Sequence, residues 1–483
     1  MASERHATIH QMILANPLIT RDELGLRSRH GLCYLPLDPL YAVVFERGAL
    51  PIHRERARTQ AAIAALSPAD ADAYATFMPI AAGVAALLAP TMFAPPTDTA
   101  PLIAASPFAA AIAAAIAAAT AQSAYDVITA AFANDIVRVA LCRFVSEIAL
   151  AHPRRPGTGL LVYLALGLAD AHGLALPRGG GAAFTGALVA CLEAHGGAVR
   201  LGMEVTKVVT EGGRAVGVRT RAGELRARDA VVGQIHPHEL GRYVEGVAEG
   251  VVREAAATRL SDYAVFGLHA ALDAPLRFGA GGVADGVVMN TVSPASMEAL
   301  LRSYDELDAG RLPADVLVGA SCTTAVDASR APEGKSLFHG SVMVPYELAD
   351  GGAAAWDRIK DDYARQVFEY VAKFAPSLTP QNVLSYHVVT PTDSERDSPS
   401  FQRGDIMGIA MHPAQSGINR PTRALSDYRV PGVKGLYLAG PFMHPGGGVW
   451  GGGRPVAMTV CADLGIDFSE LFEKKGDAVK ANL

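Results

Sequence analysis

The sequence predicts an α/β fold, and three features carry that prediction. The last fifty residues hold an apolar strand (Lys434 to Gly440), a loop crowded with glycine (Pro441 to Arg454) and a helix (Pro455 to Gly465). Residues 177 to 233 read as a helix followed by short strands with turn signals between them. Residues 240 to 400 mix strand-like runs with a strongly amphipathic helix.

In chain order, the opening MASERHATIHQMILANPLITRDELGL carries His6, His10 and Asn16 and no continuous apolar core. It therefore reads as neither a signal peptide nor a buried strand. Residues 102 to 121 (LIAASPFAAAIAAAIAAATA) are the most apolar run, but they contain Pro107 and only about thirteen uninterrupted small apolar residues, short of the ~20 that span a bilayer. Alanine favours helix, so a buried or half-buried helix is expected, with a lipophilic lid helix as the alternative. Arg154 to Thr158 reads as a turn.

Pro177 to Gly181 leads into a helix from Ala182 to His195, with Phe184, Leu188, Cys191 and Leu192 inward and Gly196-Gly197 closing it. AVRLGMEV then alternates, which puts Val199, Leu201, Met203 and Val205 on one face of a strand. Glu211 to Arg214 and Arg221 to Glu224 are turn signals, and Ala227 to Gly233 reads as a buried strand. Further strands are expected at Ala264 to Leu272 and Ser336 to Val344. Trp356 to Pro376 keeps a helical stripe of Ile359, Tyr363, Val367, Tyr370, Val371 and Phe374.

Seven glycines lie from Gly440 to Gly453, where side chains would keep a ligand away from the backbone. Pro455 suits a first helical turn and Gly465 a helix stop, with Val456, Val460 and Leu464 on one face. The free N–H groups and dipole of that helix point at the loop, which suits a phosphate or an electron-rich ring. A purely structural glycine loop is the alternative. His444 is the side chain best placed for proton transfer near neutrality, with bracing of the loop as its alternative role. Trp450 reads as a pocket wall or as core.

Other chemistries find little support. A formal charge of −6 gives no basic field for nucleic acid. The five cysteines are scattered without CxxC spacing, as expected of reduced thiols in a cytoplasm. His236-Pro237-His238 lacks a third ligand at suitable spacing for a metal. The Ala/Gly/Arg-rich composition suggests a bacterial source.

The run GLYLAG with HPGGGV (Gly435 to Val449) resembles the C-terminal flavin motif of the phytoene desaturase family of FAD-dependent oxidoreductases, within the amine-oxidase-like flavoproteins. The resemblance covers nearly the whole chain and is strongest at 177–235 and 404–460. It implies a Rossmann-like flavoprotein fold with an inserted antiparallel-sheet substrate domain and a helical subdomain. The implied division is a discontinuous FAD-binding-like domain of 1–30, 160–238 and 400–475, a helical or lid part at 40–155, and a substrate domain at 239–399. FAD is the implied cofactor, held by Val205 through its backbone and by Gly440, His444, Pro445, Gly446, Gly447, Gly448, Val449, Gly451 and Arg454. Met411, Gln415, Phe442 and Trp450 are implied to face an apolar or conjugated substrate. His444 and Tyr428 are implied to be catalytic, in a reaction that sends hydride from a C–C unit to the flavin.

The chain also departs from that pattern. Its opening resembles the family segment that follows the first βαβ unit, and the strand–GxGxxG–helix that seats a pyrophosphate is not found. The fold is therefore expected without its first βαβ unit, with FAD weakly bound or lost. The resulting gap would be covered by a homodimer or by a plug of Ile9, Met12, Ile13 and Leu14. An FAD-lost isomerase or cyclase, or a non-catalytic binding scaffold, is the alternative function. The expected partner is an apolar small molecule. Peripheral contact with the inner face of a membrane is a further expectation.

Overall fold

A computed structural model of the protein describes residues 24–104, 109–279, 281–447 and 452–473. Ile9, Met12, Ile13 and Leu14 lie outside the described residues, as do Gly448, Val449, Trp450 and Gly451.

A short antiparallel pair, β1 (Tyr34–Pro36) and β4 (Ala175–Pro177), leads the chain into the helix Gly181–Ala194. The largest sheet has seven strands. In chain order they are β2 (Tyr41–Phe45), β3 (Gly48–Ile52), β9 (Ala264–Leu272), β10 (Met289–Val292), β11 (Val318–Ser321), β12 (Ser336–Val344) and β13 (Val383–Val389), and across the sheet they run β13-β9-β12-β11-β10-β2-β3. All neighbours are antiparallel except β10 and β2. Strands β9 and β12 begin and end at the residues expected from sequence. Strands β2 and β3 come from a stretch expected to be helical: Tyr41 to Phe45 is an uninterrupted apolar run buried on both faces, which periodicity alone does not assign.

One face of this sheet packs on the helix Trp356–Ala372. Phe266 meets Trp356 and Tyr363, and Val367, Val371 and Phe374 fill the same cluster. The other core joins the sheet to a helical unit containing Pro68–Leu88, Ala109–Ala121, Asp135–Ala149 and Gly159–His172. Pro68–Leu88 and Gly159–His172 approach so closely at Gly167 that a Cβ there would lie 2.1 Å from the Ala81 carbonyl. The alanine-rich run forms helices at Ala100–Ala104 and Ala109–Ala121. Among the described residues, the helix long and apolar enough to cross a membrane is instead Pro68–Phe93, 33% of whose most apolar window is buried.

The remaining strands frame the glycine loop. A meander, β5 (Val205–Glu211), β6 (Arg214–Thr220) and β7 (Gly223–Arg226), turns at the two expected positions. Strand β8 (Val231–Gly233) pairs in parallel with β14 (Leu436–Leu438), and β6 touches them through the bridge Arg214–Lys434. Leu425, Tyr428, Leu436, Leu438 and Phe442 form the core beneath.

Three expectations need correction. Residues 198–204 are not a strand: the strand starts at Val205, and Val199, Leu201 and Val205 are 46%, 88% and 38% exposed. Alternation yields a strand only where a neighbour completes the hydrogen-bond ladder, and none pairs with 198–204 among the described residues. Leu192 is 46% exposed, not inward, while Phe184, Ala187 and Cys191 carry the buried face of Gly181–Ala194. Leu464 follows the helix Gly453–Asp463 as its C-cap and is 42% exposed, so the buried stripe ends at Val460.

Candidate functional site

The glycine loop is assembled on one buried cation. Arg420 is fully buried, and its guanidinium donates to five backbone carbonyls: Met443 (3.2 Å), Ala410 (3.2 Å), Gln415 (3.2 Å), Ile409 (3.3 Å) and Pro441 (2.9 Å). A rigid fork of five N–H donors suits this role better than an ammonium. Burial lowers its pKa to about 10, against the pull of Asp405, so the guanidinium stays charged. Asp405 is itself buried and accepts from the backbone of Ser261 and Met407.

Around this centre the loop turns tightly. Gly446 has φ +90°, and a Cβ there would lie 2.4 Å from Arg420 Nε. At Gly447 a Cβ would meet Met407 Cε at 2.9 Å and Met411 Sδ at 3.2 Å, so Met411 lies beside the loop. The first residue before the final helix sits over the loop's start: a Cβ on Gly452 would be 3.5 Å from the Gly440 carbonyl and 3.6 Å from that of His444. The helix Gly453–Asp463 therefore begins where the loop closes, with its unpaired N–H groups at that end.

His444 is 7% exposed and follows directly on the buried Phe442 and Met443. Its Nε2 lies 2.8 Å from the Thr91 carbonyl, a contact that requires the proton on Nε2. Nδ1 is buried without a hydrogen-bond partner. Burial lowers the pKa, more than the Thr91 contact raises it, so the ring is neutral at pH 7 with Nδ1 as an open acceptor.

The other expected residues fall into place as follows. Tyr428 is fully buried, has φ +71°, and donates its hydroxyl to the His444 carbonyl at 3.2 Å. Pro445 follows His444 through a cis peptide bond. Gln415 is spent on the backbone: Oε1 accepts from Arg259 N at 2.6 Å and Nε2 donates to Arg259 O at 3.1 Å. Phe442 is fully buried edge-on to His236 in the core, which leaves no face for a substrate. Arg454 donates to the Phe93 carbonyl at 2.8 Å and lies over the Phe468 ring. Val205 stands at the half-exposed start of β5.

FAD can be tested against these residues. The helix start and the unpartnered Nδ1 of His444 would suit the ring and its adjoining chain, whereas the Cα faces of Gly446 and Gly447 are taken by Arg420, Met407 and Met411. The central role of Arg420 was not legible, because its five partners are main-chain carbonyls that leave no side-chain signature.

No protein-family model matches the chain. It is 30% identical over 368 residues to pyridine nucleotide-disulfide oxidoreductase domain-containing protein 2 of Rattus norvegicus, covering 70% of this chain and 62% of that protein. It is 26% identical over 328 residues to a zeta-carotene-forming phytoene desaturase of Myxococcus xanthus, covering 67% of this chain and 59% of the relative. The chain thus spans about six-tenths of the length of these relatives. Among solved structures, a putrescine oxidase triple mutant superposes over 93% of this chain and 86% of its own with a TM-score of 0.56 at 14% identity. The fold is that of the putrescine oxidase, and in sequence the chain is similar to a pyridine nucleotide-disulfide oxidoreductase domain protein and to a phytoene desaturase.

Proposed function

We propose that the protein is an FAD-dependent oxidoreductase of the dehydrogenase or desaturase type, acting on an apolar or conjugated substrate. One observation carries the reading: a neutral, buried His444 with an open Nδ1, fixed at a glycine loop that meets a helix start. When bound, FAD would supply the hydride acceptor. The residues that would hold it are Gly440, His444, Pro445, Gly446 and Gly447, with Gly452 at the helix start.

The protein's own groups would then do three things. Arg420 and Tyr428 fix the loop from beneath, so that little reorganisation is left when a substrate arrives. Nδ1 of His444 accepts the proton that leaves the carbon next to the one losing hydride, while Thr91 holds the ring in the required tautomer. Met411, partly buried beside Gly447, gives the loop adaptable apolar surface, which favours a hydrocarbon over an ammonium.

The names of two relatives support the substrate class: the phytoene desaturase above, and a limonene dehydrogenase chain from Castellaniella defragrans, 28% identical over 177 residues. The test is anaerobic. The chain is titrated with FAD, and phytoene, limonene or putrescine is added. Loss of the flavin's visible absorbance with a hydrocarbon and not with putrescine is expected. Bleaching by putrescine alone would overturn the substrate class, and failure to bind FAD at any concentration would favour the scaffold reading.

A further inference from the structure

Three histidines stand in one row across the substrate-side sheet. His387 of β13 pairs with His269 of β9, and His269 pairs with His339 of β12. Directly opposed residues of antiparallel strands share a face, with Cβ atoms about 5 Å apart. Alternation along β9 identifies the face: Phe266 and Leu268 lie in the core against the helix Trp356–Ala372, so His269 points away from it. His269 and His339 are half-buried there, and His387 is exposed. The first two already meet, with ring centroids 4.4 Å apart and Nδ1 to Nδ1 at 3.2 Å.

We propose that this row binds a divalent transition-metal ion such as Zn²⁺, with Nδ1 of His269 and Nδ1 of His339 as two ligands and His387 as the third. A tetrahedral zinc ion with ordinary Zn–N bonds holds two ligand nitrogens about 3.3 Å apart. The observed separation already matches that edge. Without metal, one Nδ1 must carry a proton for the other to accept; the ion replaces that proton, so binding releases it and weakens in acid. No carboxylate takes part, which selects zinc, nickel or copper over magnesium or calcium.

The third ligand must be recruited. Among the described residues no three His, Cys, Asp or Glu side chains already converge on a metal position. His387 is the candidate because it occupies the next position of the same row and its exposed side chain is free to turn. Strand β13 lies at the edge of the sheet, so a bound ion would clip that edge to its two inner neighbours. The three histidines lie on β9, β12 and β13, whereas Tyr428 and His444 lie on the segments either side of β14.

The experiment is calorimetric titration of the intact chain with ZnCl₂ in a reducing buffer, at pH 7.5 and 5.5, with MgCl₂ as control. One zinc site is expected at pH 7.5, weakened at least tenfold at pH 5.5, at least tenfold in H387A, and abolished in H269A/H339A. Because two of these side chains are half-buried, thermal unfolding with and without zinc is read in parallel: zinc should raise the Tm of the wild type and not that of H269Q or H339Q. Wild-type zinc affinity in H269A/H339A, equal binding of magnesium, or no zinc binding by the wild type would each overturn the site. Unchanged affinity in H387A would overturn its third ligand.

Discussion

The hydroxyl of Tyr428 donates to the main-chain carbonyl of His444 at 3.2 Å, across a separation of 16 residues. Tyr428 adopts φ +71°, a conformation uncommon for a large side chain, and is fully buried. The bond links the end of the segment before β14 to the loop after it. It holds the backbone that carries the imidazole.

Tyr428→Phe keeps the ring and removes the donor, leaving a buried carbonyl unpaired. A loss of about 1–3 kcal/mol is expected in urea unfolding. FAD affinity should fall in the same variant, because the loop loses its brace. Wild-type stability together with wild-type FAD affinity would show that the hydroxyl has no bracing role.

Arg420→Lys retains the charge but can satisfy at most three of the five carbonyls. The cost should be at least about 3 kcal/mol, since buried acceptors are left without partners. Urea unfolding measures it. A change within about 1 kcal/mol would mean that water or relaxation replaces the lost donors.

Acid should destabilise the fold through His236, whose pKa burial lowers to about 4 although its Nε2 donates to the Gly408 carbonyl at 2.7 Å. The unfolded chain binds the proton near pH 6.5 and the folded one only near pH 4, so stability falls as pH drops through that window. The full contribution is about 3 kcal/mol, with about 2 kcal/mol lost by pH 5. His236→Asn keeps a donor but does not titrate. The stability advantage of wild type over this variant should shrink by that amount between pH 7.5 and 5, and a constant difference would exclude His236 as the source.

Gly167→Ala should push apart the helices Pro68–Leu88 and Gly159–His172, because the new methyl lands 2.1 Å from the Ala81 carbonyl. Overpacking of this kind costs about 1–3 kcal/mol. A lowered Tm is expected. An unchanged Tm would show that the helix pair slides to accommodate the methyl.

Much of the frame was legible because its signals are local. Strands β9 and β12 and the helix Trp356–Ala372 follow from runs of adjacent residues, and the order of strand, glycine loop and helix follows from Leu436, Gly446 and Pro455 alone. What escaped depends on partners far along the chain. Leu201 sits in a regular alternation yet is 88% exposed, because a strand also requires a neighbour. Tyr41 to Phe45 lies between Met289–Val292, far along the chain, and its hairpin partner Gly48–Ile52, and an unbroken apolar run does not by itself announce either pairing. Phe442 and Gln415 looked like pocket residues from their position beside the loop, but one is core and the other is committed to Arg259. The His269–His339 contact bridges 70 residues, and no motif encodes it.

The crowding of Gly446 against Arg420 makes these two positions one heritable unit. A side chain at 446 would displace the guanidinium that gathers five carbonyls, and shortening 420 would strand those carbonyls. Each single change is therefore deleterious, and a smaller donor at 420 does not open 446 to alanine, because φ of +90° there strains any side chain. In a library randomised at both positions, survivors should retain glycine and arginine together.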